Sequence, residues 1–131
     1  MGSDKTYKTT AKHFAVFKAQ VQKELDRFGL KQWRVGIEHE ERDDDARAEV
    51  CWSLTGRCAT IYLNTIWRGD ITEENLRMTA FHEVIELLMA PVYYMAYKPE
   101  ERMMPGQREV AASAEQHGII RTLENVFGYA K

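Results

Sequence analysis

Apolar positions recur along the chain first with a helical period and then with that of a strand. Within residues 9–28, Phe14, Phe17, Val21, Leu25 and Phe28 fall three and four apart, which predicts one amphipathic helix ending at Gly29. Trp33, Val35, Ile37 and His39 then alternate with Arg34, Gly36, Glu38 and Glu40, the pattern of a strand with one buried face. After a charged turn from Glu40 to Asp45, residues 49–54 and 57–64 alternate around Thr55-Gly56. They predict a hairpin with Val50, Trp52 and Leu54 on one face and Ala59, Ile61 and Leu63 on another. Counting out from the turn pairs Ser53 with Cys58, so Cys51 and Cys58 are not directly opposite and are expected as free thiols.

Trp67-Arg68-Gly69-Asp70 breaks the strand pattern. Thr72 then caps a helix with Glu73 and Glu74 in its first turn, expected to run to about Ala90 and to stop at Pro91. The stretch through Pro99 and Pro105-Gly106 reads as a loop, crowded with Tyr93, Tyr94, Met95, Tyr97, Met103 and Met104, which either cap the core or form an adaptable binding surface. A last helix covers residues 107–127 and closes at Gly128. The order of helix, three strands, helix and helix, with no repeat or linker, predicts a single α+β domain over residues 1–131. Its helices pack on one face of a small antiparallel three-stranded sheet.

A chain of 131 residues with 44% hydrophobic residues buries a core without disulfides or a structural metal, so a metal bound here serves chemistry before it serves folding. The 18 Lys plus Arg against 20 Asp plus Glu, a net charge of −2, leave no basic stripe, and no general nucleic-acid binding is expected. Two cysteines and no signal-like start point to a reducing, cytoplasmic setting. The most apolar stretch, residues 81–92, is too short to cross a bilayer and carries His82, Glu83 and Glu86, so no membrane span is expected. Met1 to Thr6 fits the loose N-myristoylation pattern, although Met-Gly-Ser is also a common start. The acidic run 38–45 lacks the spacing and glycine of a calcium loop and reads as a solvated turn, and His13 and His39 stand alone.

The segment Phe81-His82-Glu83-Val84-Ile85-Glu86 lies inside the helix that Thr72 caps. At about 100° per residue, His82 and Glu86 stack on one face with Glu83 adjoining, an arrangement able to chelate a metal. In an H-E-x-x-H motif the two residues four apart ligate Zn²⁺ and the intervening Glu activates water; here Glu86 stands at the second His position, giving H-E-x-x-E. The same three residues also satisfy a solvated polar stripe opposite Phe81, Val84, Ile85 and Leu88.

Together with the small sheet, the Leu87-Leu88-Met89-Ala90-Pro91 continuation and the final helix bearing Glu115-Gln116-His117 and Arg121-Thr122-Leu123-Glu124, the motif resembles small zincin-type metallopeptidase domains. Such domains are often encoded by bacteriophages and prophages. The resemblance implies metal ligation by His82 and Glu86, Glu83 as general base, a third ligand from Glu115 or His117, and an extended peptide or protein as substrate. That substrate is expected along the free edge of the strand at residues 57–64. One His and two carboxylates leave bound Zn²⁺ with a net charge near zero and shift preference toward Mn²⁺ or Mg²⁺, whereas His117 restores two nitrogens and one carboxylate. Residues two apart on a helix differ by about 200° in direction, so only one of the pair faces the site. Glu115 shares its side with Ala111, Gly118 and Ile119, where small residues allow close helix approach, and is preferred; His117 shares its side with Ser113, Arg121 and Glu124. The alternative from a different class is a metal-free, non-enzymatic module that contacts a host protein through the Tyr- and Met-rich loop and the acidic hairpin.

Overall fold

The computed structural model describes residues 5–43, 45–97, 117, 118, 120 and 123. The elements are β1 (Thr6–Lys8), α1 (Ala11–Arg27), β2 (Arg34–His39), β3 (Ala48–Ser53), β4 (Cys58–Leu63), β5 (Ile66–Arg68) and α2 (Glu73–Tyr97). The class is α+β, as the periodicities predict. Thr10 caps α1 by accepting from the His13 amide, while His13 Nδ1 accepts from the Thr10 amide, and Gly29 follows the helix at φ +64°.

The larger sheet is mixed and not wholly antiparallel. β4 lies in the centre, antiparallel to β3 and parallel to β2. The burial pattern explains this order: Ala59, Ile61 and Leu63 are all buried, and the strand with the most apolar inner face takes the position where both edges are paired. Val50 pairs with Ile61 and Trp52 with Ala59, so the two apolar sets expected on different faces share one, because directly opposed residues point the same way. Ser53 does pair with Cys58, and both cysteines are free and exposed. With β4 central, residues 57–64 have no free edge for a substrate; the outer edges belong to β2 and β3, and α2 packs against β3.

Two further departures lie on either side of the sheet. Trp67 and Arg68, expected to begin a break, belong to Ile66–Arg68, which pairs antiparallel with Thr6–Lys8, a match between segments about sixty residues apart that no local pattern announces. Trp67 in this ribbon is wholly buried, and its Nε1 donates to the Arg47 carbonyl at 2.9 Å. At the other end, α2 runs through Pro91 to Tyr97, so Tyr93 and Tyr94 sit on a helix and not in a loop. Pro91 cannot donate to the Leu87 carbonyl, at a cost of about 3 kcal/mol. Leu87 and Ala90, both fully buried beside it, carry the helix across that gap. The last helix lies mostly outside the described residues, but His117, Gly118, Ile120 and Leu123 are helical, and Ile120 packs with Phe81 and Ile85. Among the described residues, a Cβ built on Gly118 would meet nothing within 4 Å. Among the described residues no helix is long and apolar enough to cross a membrane.

Asn64, buried just past β4, ties these parts together. Its Oδ1 accepts from the amides of Arg42 (3.0 Å) and Ile66 (3.3 Å), and its Nδ2 donates to the carbonyls of Asp43 (2.9 Å) and Ala46 (2.7 Å). Its own carbonyl accepts from Thr9 Oγ1 at 2.8 Å, ahead of α1. Because that hydroxyl gives its proton to Asn64, it accepts from His39 Nε2 at 2.7 Å, so His39 is no isolated residue; its ring also stacks on Phe14. Asn64→Ala leaves four backbone groups without the partner that spans two loops, and the expected loss is about 2–4 kcal/mol by urea unfolding. A loss under about 1 kcal/mol would contradict this role.

Candidate metal centre

α2 starts where Thr72 Oγ1 accepts from the Asn75 amide at 3.0 Å, and this phase turns Leu76, Ala80, Val84 and Leu87 into the core. The complementary positions face the free edge of β3. There His82 Nε2 lies 2.9 Å from Glu86 Oε2, one helical turn away, with the two side chains 32% and 27% exposed. Glu83 adjoins them and is buried, at 5% exposure. One donor atom from each of His82, Glu83 and Glu86 falls within 4.8 Å of the others, so the three form a group able to hold a metal ion. The solvated-stripe reading therefore fails at Glu83, which faces the protein and not water.

His82 and Glu83 open on a cleft of about 300 Å³ lined also by Asp45, Arg47, Ala48, Met78 and Thr79. One wall is α2; the other is the Asp45–Ala48 run entering β3. Burial, and then the neighbouring Glu86 carboxylate, push the Glu83 carboxyl up to about 8, with Glu49 adding and His82 opposing.

Beside this group, though not within it, His117 stands on the final helix. Its ring lies 6.1 Å from that of His82, centroid to centroid, with the planes 28° apart. His117 is half-buried, and Ile120, three residues on, is 1% exposed against Phe81 and Ile85. The spacing of His117, Ile120 and Leu123 was the available signal for this face. Glu115 lies outside the described residues. Arg47 and Asp45 had no local signal, since only the tertiary fold brings the end of an acidic turn against α2.

No protein-family model, curated protein or solved structure matches the chain.

A carboxyl raised above its ordinary range of about 4.5 gives stability that is complete below that value and is lost as pH rises through about 8. In metal-free protein, warming from about pH 6 and from about pH 8.5 should give a melting temperature several degrees lower at the higher pH. Glu83→Gln, which cannot ionise, should remove most of that difference. An unchanged difference in the variant would show that Glu83 is not the group being charged.

Proposed function

We propose that the chain is a zincin-like, metal-dependent peptidase domain in which His82 and Glu86 hold Zn²⁺, His117 completes the ligand set and Glu83 is the general base. The observation that carries the reading is the His82–Glu86 pair at 2.9 Å with a buried carboxyl beside it in an open cleft. A polar stripe without function has no reason to bury Glu83 at such cost, whereas a cation at this point offsets it. The donor chemistry fits such an ion. Glu86 alone as second ligand makes an oxygen-rich set suited to Mn²⁺, and the His117 ring beside His82 supplies the second nitrogen that favours zinc.

A bound divalent ion polarises the scissile carbonyl and acidifies a water molecule. Glu83, held at one position by its burial, takes a proton from the attacking water and returns it to the leaving amine. A proton acceptor near neutrality suits that double role better than an ordinary carboxylate. An extended peptide adds to the free edge of β3, beside Ala48, where main-chain hydrogen bonds set its register.

Protein purified without a His-tag and incubated with Zn²⁺ should retain about one equivalent per chain. Less than about a tenth of an equivalent of zinc, manganese or iron sinks the metal reading and leaves the metal-free interaction module. Glu83→Gln should keep the metal while lowering hydrolysis of a quenched-fluorescence peptide library by about a hundredfold or more; unchanged hydrolysis refutes it as the base. Glu86→His should tighten zinc binding by about tenfold, and no gain counts against zincin-like geometry.

A further inference from the structure

Arg47 stands on the cleft wall that carries no member of the His82, Glu83 and Glu86 group. Its position is fixed at several points. The backbone carbonyl accepts from both Trp67 Nε1 (2.9 Å) and the Asn64 amide (3.0 Å), and the guanidinium lies 4.8 Å over the wholly buried Trp67 ring. Nη2 donates to the Arg68 carbonyl at 3.3 Å. Gly69, at φ +83°, borders the same atom; a Cβ there would lie 3.4 Å from Nη2, in ordinary contact with it, while the positive φ would strain any other residue.

A guanidinium has five N–H donors, and among the described residues one of those of Arg47 meets a protein acceptor. Among the described residues no carboxylate pairs with Arg47, although the chain has acids nearby. Asp45, on the same wall, is turned to Arg68 at 3.5 Å, and Glu49 is bonded to Arg42 at 2.7 Å. Arg42 and Arg68 are therefore paired with carboxylates, whereas among the described residues Arg47, which lines the cleft, is not. A planar, always-charged group held over an aromatic ring presents a preset fork to a carboxylate, and little side-chain freedom remains to be lost on binding.

We infer that Arg47 is the specificity-determining residue of the cleft and that it selects peptides bearing a carboxylate, from a free C-terminus or from an acidic side chain. The inference rests on the peptide-binding part of the function proposed above, but its recognition step does not need the metal. A volume of about 300 Å³ suits one or two residues of a chain running along β3, which puts the selected group close to the bond that Glu83 would address.

The test is binding, by calorimetry or NMR titration, of three short peptides to the metal-free full chain: acetyl-trialanine as free acid, the same peptide as amide, and an amide with a central glutamate. At least one acidic peptide should bind about tenfold or more better than the neutral amide, and which of the two does so identifies the source of the carboxylate. Arg47→Met, which keeps the aliphatic stem over Trp67, should bring the ratio near one, and Arg47→Lys should retain part of it. Melting curves confirm that each variant is folded; if the Met variant is not, the Lys variant decides by its reduced ratio. Equal binding of all three peptides, no binding of any, or an acid preference that persists in a folded Met variant overturns the inference. Zinc content measured separately on the same preparations reports on the metal centre, so either idea can fail alone.

Discussion

The four side-chain hydrogen bonds of Asn64 are the constraint on which the cleft depends. Three of them fasten the irregular run between β2 and β3 to the end of the central strand and the fourth holds Ile66 of β5, while the Asn64 backbone reaches Thr9 on one side and Arg47 on the other. This run has no ladder of its own to satisfy its amides and carbonyls, and a buried amide side chain with two donors and two acceptor positions replaces one. Because the run ends in Asp45, Arg47 and Ala48, its anchoring sets the cleft wall opposite α2. A small domain thus builds a defined wall from loop residues, using one side chain where a larger protein would use another strand.

The facing wall follows a different logic. Helix α2 turns apolar residues into the core on one side and brings a buried carboxyl, an imidazole and a second carboxylate to the sheet edge on the other. Burying Glu83 beside Glu86 is unfavourable unless the pair stays partly protonated or a cation lies with it, which is why its proton is held to about 8. The domain has a core large enough to absorb that cost, so folding without metal and binding of a metal are compatible properties of one chain.

Much of this was legible in the sequence wherever a local period or a cap dictates structure. The three-and-four spacing from Phe14 to Phe28 set α1, Thr55-Gly56 set the β3–β4 register, and Thr72 set the start of α2, hence the face shared by His82 and Glu86. What the pattern could not carry was distant pairing. β1 and β5 are three residues each, and the parallel match of β2 to β4 depends on which strand takes the centre, a property of the assembled core. Pro91 misled because a proline's local cost was weighed without the burial of Leu87 and Ala90. Within the site, the spacing of four was visible, but the burial of Glu83, the inward face of His117 and the role of Arg47 all arise from tertiary contacts.

The central claim is that His82 and Glu86, one turn apart on α2, ligate one metal ion. Anomalous diffraction at the zinc edge from crystals grown with Zn²⁺ addresses it directly. The account predicts a peak about 2.0–2.2 Å from His82 Nε2 and from a Glu86 carboxylate oxygen, with the His117 ring turned toward the same ion. A peak elsewhere, or full zinc exposure with the His82–Glu86 pair still closed on itself, would contradict it.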